Sequence, residues 1–297
     1  MRTKLYAIFG VVLFFLACKE KAQEKAAAPT NAEATAGTMV PASWIQSRVT
    51  KAKEQLQASE AGTVVWNAME AHGGLEKWFS NGFFSFHFNY QPLGEGTPRN
   101  TYNTVDTWRN KVRQKEALDT TLQYGWNGKE HWKLVRDSTS IAYDTKFWAL
   151  TPFYFAGLPF VLDGAGVQLQ LLPQTQYKNE NWDVVKVTFA SGTGDAPDDY
   201  YILYFHAATH KMGVIRYIVS YPAYFPEGGH MPEKFMDLFG EQTVAGITLP
   251  ESYKTHWLSD KDLPGEYITS ITLSEVSFDQ GIDQRYFDPP QGATMVE

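Results

Sequence analysis

The chain has 297 residues, a single cysteine and a formal net charge of −7 at pH 7. An acidic chain without a Lys/Arg cluster is a poor match for nucleic acid and cannot be held to anionic lipid by charge, and one cysteine excludes an internal disulfide. Stability must come from burial, for which 19 Phe, 16 Tyr and 9 Trp supply the material.

Residues 1–17 read as a secretory signal: Arg2 and Lys4 form a basic n-region, Leu5 to Leu16 an apolar h-region, and Ala17 the small residue before cleavage. A run of roughly 13 apolar residues reaches only about 20 Å as a helix, short of a hydrocarbon core about 30 Å thick, so it is no membrane span. Phe15-Leu16-Ala17-Cys18 resembles a lipobox, which implies that Cys18 is acylated and becomes the first mature residue. Losing Arg2 and Lys4 takes the formal charge from −7 to −9. Residues 18–41 hold almost no large apolar side chain and read as a flexible tether with a reach of about 26 Å, or a local helix in its Ala-rich part. No Asp follows Cys18, which favours anchoring at an outer membrane, on its periplasmic or cell-surface face. Residues 42–297 are expected to form one domain.

From Ser43 the apolar spacing predicts two amphipathic helices broken near Gly62, the second ending at His72-Gly73-Gly74. A short turn with Leu75, Trp78 and Phe79 follows. After Gly82 the period falls to 2: Phe84, Phe86, Phe88 and Tyr90 alternate with Ser85, His87 and Asn89, a strand with one dry face. Further strands are predicted over 101–109, 111–116, 122–126, 130–136, 167–172, 182–189, 200–205, 212–221, 235–243, 247–257 and 267–278, and the short connections imply antiparallel order. Asn127-Gly128 marks a hairpin, for which a three-residue loop, Asn127-Gly128-Lys129, would put Leu122, Tyr124, Trp126, Trp132 and Leu134 on one face. Tyr143 to Leu162 is too apolar for an exposed loop and, with Pro152 and Pro159, too broken for one long helix. It is expected to lie as short helical pieces across the sheet.

Three segments carry a family resemblance: Ala71-His72-Gly73-Gly74-Leu75-Glu76-Lys77-Trp78, Thr151-Pro152-Phe153-Tyr154-Phe155-Ala156-Gly157-Leu158-Pro159-Phe160 and Asp198-Asp199-Tyr200-Tyr201-Ile202-Leu203-Tyr204-Phe205. They look like those of an uncharacterised family of outer-membrane lipoproteins, itself similar to the Lol lipoprotein-carrier superfamily. The resemblance implies an α+β, mostly antiparallel fold: an open, curved half-barrel of about eleven strands, with N-terminal helices and a helical insertion covering a concave face that holds acyl chains.

No catalytic signature is present: there is no G-x-S-x-G elbow, no phosphate-cradling loop and no dinucleotide fingerprint. His72 beside two glycines is either a helix end or the centre of a hydrolase site. His206 and His210 flank a hairpin tip without the glutamate of a zinc protease, and Asp195, Asp198 and Asp199 lack the alternation of a calcium loop, so no metal or cofactor is expected. The functional expectation rests on an aromatic wall of Phe84, Phe86, Phe88, Tyr90, Trp108, Tyr124, Trp126 and Trp132, joined by Phe153 and Phe155 from the insertion. Left partly open, such a wall would bind a lipid or acylated molecule, and fully burying a 16-carbon tail would contribute about 12 kcal/mol gross. The rival readings are a surface glycan binder using exposed aromatic faces and a hydrolase centred on His72. Oligomeric state is not legible.

Overall fold

The computed structural model describes residues 40–194, 196 and 198–296. The predicted leader, Cys18 and nearly all of the tether lie outside the described residues, as does Asp195. Among the described residues three helices come first: α1 (Ala42–Leu56), α2 (Glu60–Ala71) and α3 (Leu75–Ser80). The break between α1 and α2 falls before Gly62, because Ser59 caps α2 and its hydroxyl accepts from the Gly62 amide at 3.0 Å. The second helix stops where glycine predicted it, with the Gly74 amide returning to the Met69 carbonyl at 2.8 Å.

The strands then form an open sheet. β1 (Phe83–Pro92) lies in the middle, and β2 (Arg99–Asp106), β3 (Lys111–Glu116), β4 (Gln123–Trp126) and β5 (His131–Leu134) step outward from it. α4 (Thr145–Gly157) and a 3-10 turn over Phe160–Asp163 carry the chain to the opposite edge. There β6 (Val167–Tyr177), β7 (Glu180–Phe189), β8 (Tyr201–His206), β9 (Met212–Tyr217) and β10 (Lys234–Phe239) step back inward. A separate hairpin of β11 (Gln242–Val244) and β12 (Ile247–Leu249) intervenes before β13 (Ser252–Leu258) and β14 (Pro264–Asp279), which closes the path by pairing with β1. β15 (Thr294–Val296) adds to the outer side of β5, giving, among the described residues, a 13-stranded sheet that runs from β15 at one edge to β6 at the other. All neighbours are antiparallel.

The fifteen strands described, β11 and β12 included, exceed the expected eleven or so for local reasons. The predicted strand over 235–243 bends at Gly240, whose φ of +67° suits glycine and where a Cβ would lie 2.3 Å from the Glu251 carboxylate. The one over 247–257 is interrupted at Pro250, which has no N–H for the ladder. β15 is only three residues long and carries no periodic signal.

The hairpin at Asn127 differs from expectation. Trp126 pairs with His131, so the loop has four residues, Asn127 to Glu130, held by the Asn127 Oδ1 accepting from the Lys129 and Glu130 amides at 2.9 and 2.8 Å. One extra residue reverses the parity of β5. Trp132 therefore stands opposite Gly125, on the other face from Tyr124, with its indole N–H donating to the Phe287 carbonyl at 3.2 Å. Gly125 is what makes room: a Cβ there would come within 3.0 Å of the Trp132 ring.

The concave face is covered unevenly. Trp78 of α3 is 2% exposed, stacks on Phe160 at 4.7 Å and 9°, and meets Phe84 at 5.1 Å. α4 packs over β2 to β5, and Pro152 shapes one of the contacts it makes there. A proline N has no hydrogen, so the Trp148 carbonyl four residues earlier loses its helical partner. Gln114 of β3 supplies one: its Nε2 donates to the Trp148 and Ala149 carbonyls at 2.6 and 2.8 Å. Its Oε1 accepts from the Thr101 hydroxyl at 3.0 Å and the Tyr124 hydroxyl at 2.8 Å, so a fully buried amide is satisfied on both sides. Pinned to this half of the sheet, α4 leaves a gap toward β6 to β10. Among the described residues no helix is long and apolar enough to cross a membrane.

Candidate functional site

The gap is a cavity of about 320 Å³ between α4 and the returning strands, at the lower end of the range of small-ligand pockets, about 300–1,000 Å³. α4 contributes Phe147, Trp148, Leu150, Thr151, Tyr154 and Phe155; the facing wall holds Val167, Phe189, Tyr201, Tyr217 and Val219, with Tyr90 at one side. The rings brace one another: Tyr154 lies 4.8 Å from Tyr201, Phe155 5.1 Å from Tyr217, and Tyr90 5.0 Å from Trp148. A cross-strand row explains the facing wall. Tyr201, Tyr217, Lys234 and Trp257 are register partners across β8, β9, β10 and β13, so their side chains share one face of the sheet.

Two charged groups enter this otherwise apolar space. Asp199 is buried, and its Oδ1 accepts from the Ser220 amide at 2.6 Å and the Ser220 hydroxyl at 2.7 Å; burial nonetheless raises its pKa. Lys234 has its ammonium 5.5 Å from the Tyr217 ring and 5.6 Å from the Trp257 ring. Burial lowers its pKa to about 8 against the opposing pull of Asp199. The Tyr154 hydroxyl is buried without a hydrogen-bond partner among the described residues. Desolvation also raises the pKa of Tyr154, Tyr201 and Tyr217, so all three present neutral hydroxyls.

Of the ten aromatic residues expected to line a cavity, the structure brings Tyr90 and Phe155 to it. The other eight stand elsewhere. Phe84, Phe86 and Phe88 are at most 2% exposed and, with Tyr124 and Phe153, fill the core beneath the helices. Trp108 sits beyond β2, 5.9 Å from Trp44 and under the Arg109 guanidinium, and Trp126 lies against His131 at 4.5 Å. Trp132 is on the opposite face of the sheet. The strongest alternation in the sequence therefore marks mostly solid core, with only its last member, Tyr90, reaching the hollow. One signal was available: Lys234 has the same strand parity as Met236, a fully buried core residue, and a cation at a core-facing position needs an explanation.

His72 is a structural tie. Its Nδ1–H donates to the Thr248 carbonyl at 2.8 Å, while Nε2 accepts from the Met212 amide at 3.1 Å, joining the end of α2 to β12 and β9. Both ring nitrogens are taken by main chain, in place of the carboxylate and hydroxyl that a hydrolase site would require. Burial holds the His72 pKa below the ordinary 6.5, so the unfolded chain binds the proton more readily than the folded one. Stability is then fully present above pH 6.5 and falls as pH drops below it, by up to about 1.4 kcal/mol per pH unit from this group. Urea unfolding between pH 7.5 and 5 should show that loss, and His72→Gln should flatten it.

The remaining sequence candidates are loop features. His206 Nδ1 accepts from the Ala208 and Thr209 amides at 3.2 and 3.1 Å, forming a hairpin tip with His210 at φ 59°. Among the described residues no group of three or more His, Cys, Asp or Glu side chains is arranged to hold a metal.

No family model and no curated protein matches the sequence. Solved structures do. A LolA superfamily protein from Nitrosomonas europaea aligns at 12% identity over 76% of this chain and 96% of its own, with a TM-score of 0.50. A DUF1329 family protein from Desulfovibrio piger aligns at 12% identity over 82% and 97%, with a TM-score of 0.47. A putative outer membrane lipoprotein-sorting protein domain from Vibrio parahaemolyticus aligns at 9% over 73% and 97%, at 0.44. The fold is the LolA-like open half-barrel. That likeness is one of architecture and assigns no residue a role.

Proposed function

We propose that this chain is an exported lipoprotein, anchored through Cys18 at an outer membrane, that holds the hydrophobic chain of a lipid or acylated molecule between α4 and the returning strands. The observation that carries the reading is the cavity itself: a single space of about 320 Å³ walled mostly by aromatic and aliphatic side chains. Its size suits one chain rather than several. Transfer of each buried methylene from water is worth about 0.8 kcal/mol, so affinity needs no reacting group. The glycan reading is less supported, since each of the nine tryptophans is buried or half-buried and only Tyr102 and Tyr224 among the described tyrosines are exposed, and the hydrolase reading lacks a free His72 nitrogen.

Organic extraction of the purified full-length chain, followed by mass spectrometry, tests this, because extraction removes bound lipid and leaves a covalent anchor on the protein. About one equivalent of a single-chain or acylated species is expected. Leu150→Trp, which places an indole in the cavity from α4, should cut that occupancy at least about fivefold. Lipid-free wild-type protein would sink the proposal.

A further inference from the structure

Resting on that cavity reading, we propose that the occupant is an anionic single-chain amphiphile whose carboxylate or phosphate head is bound by the Lys234 ammonium, with the Tyr154 hydroxyl as a second donor. The geometry leaves these two donors without acceptors. An ammonium carries three N–H groups, and among the described residues Lys234 meets two ring faces and no carboxylate or carbonyl within ion-pair or hydrogen-bond distance. Asp199 is the carboxylate whose charge acts on Lys234, and it makes no ion pair with it, its Oδ1 being committed to two Ser220 donors. Arg99 adds a second positive charge that acts on Lys234 from behind Tyr90 and Trp148; its guanidinium lies 4.5 Å from the Trp148 ring, and its Nε is buried without an acceptor.

The charges that act on Lys234 are therefore one carboxylate, Asp199, with one oxygen engaged by Ser220, and one further cation, Arg99. An anion entering the cavity would supply the missing acceptors where water is scarce, and charge-assisted hydrogen bonds are the stronger kind. Burial keeps the Lys234 pKa at about 8, which still leaves the amine mostly protonated at pH 7 and poorly solvated, the state that gains most from an anionic partner. A neutral or cationic head would leave that charge uncompensated. The tail would lie along Phe155, Phe189 and Val167, which line the same space.

The test uses the full chain in amphipol and displacement of the neutral fluorescent probe N-phenyl-1-naphthylamine at pH 7 by four 12-carbon ligands: laurate, methyl laurate, dodecyl phosphate and dodecyltrimethylammonium. Laurate or dodecyl phosphate should bind at least about tenfold more tightly than the ester. Whichever of the two leads tells carboxylate from phosphate. Lys234→Met should bring the anion down to the ester's affinity, and Lys234→Arg should restore most of the preference. Equal affinities of the wild-type chain for acid and ester, or tighter binding of the ammonium amphiphile, would overturn the headgroup assignment while leaving the cavity reading intact. If no ligand displaces the probe, or the probe does not bind, both fail together. The ester comparison needs no variant, so it holds even if Lys234→Met folds poorly.

Discussion

Gln114→Leu should lower the unfolding free energy by about 3–5 kcal/mol, equivalent to a fall in Tm of about 6–20 °C for a domain of this size. The substitution conserves much of the volume and removes four hydrogen bonds at once. The Trp148 carbonyl then loses the donor that stands in for Pro152, which cannot donate to it, and the Ala149 carbonyl, Thr101 hydroxyl and Tyr124 hydroxyl each lose one. An orphaned buried polar group costs about 1–3 kcal/mol, and the four share one network, so the total is less than their sum. Because the same amide fixes where α4 lies, lipid occupancy should fall along with stability. Gln114→Glu separates the two halves of the network: its carboxylate can still accept from Thr101 and Tyr124, but it sets a charge against two carbonyl oxygens. That variant should also be destabilised, and should recover part of the loss as pH falls and the carboxyl protonates. Thermal melts of the three proteins at pH 7 and pH 5 check both statements. A Gln114→Leu protein melting within 2 °C of wild type would show that α4 is held by apolar packing alone.

Trp78→Ala should cost about 3–5 kcal/mol, the range for emptying an indole from a core that cannot collapse around the space. Trp78 is gripped on several sides, stacked on Phe160, tilted against Phe84 and edge-on to Phe278 at 5.9 Å. These neighbours come from the 3-10 turn after α4, from β1 and from β14, so the cavity left behind is walled by elements already fixed by the sheet. Trp78→Phe should recover about half of the loss. Urea unfolding reads the difference directly, and a loss below 1 kcal/mol for the alanine variant would mean that the helices do not close the core as described. Trp78 does not itself line the ligand cavity, so the variant also serves as a control. It should reduce stability without changing the ratio of anionic to neutral ligand affinity.

Legibility varied with the range of the interaction that decided each feature. In β1 the alternation of Phe84, Phe86, Phe88 and Tyr90 with polar residues is a local property of a pleated strand, and the structure follows it. The glycine stop at His72-Gly73-Gly74 is likewise local. The β4–β5 hairpin was less legible, because Asn127-Gly128 is compatible with several loop lengths and each added residue reverses the face of everything after it. Here two amides turned onto the Asn127 carboxamide chose the four-residue form, and Trp132 went to the opposite face. Gly125, placed where its missing Cβ admits that indole, was the one cue inside the strand.

The site was least legible. Phe84 and Tyr201 are both aromatic residues on a concave strand face, yet one is sealed beneath Trp78 and the other opens onto the cavity. Nothing in the local sequence separates them, because the difference lies in what stands opposite each ring.

By itself, then, the amino-acid order determined the kinds of element, their antiparallel succession and the apolar side of β1. These follow from backbone stereochemistry and from periodicity within a few residues. Only the tertiary structure decided which rings fill and which rings line. Over β2 to β5, α4 joins its proline-freed Trp148 carbonyl to a glutamine 34 positions earlier in the chain. The space left beyond it is a property of the packed pair of surfaces and belongs to neither sequence segment alone.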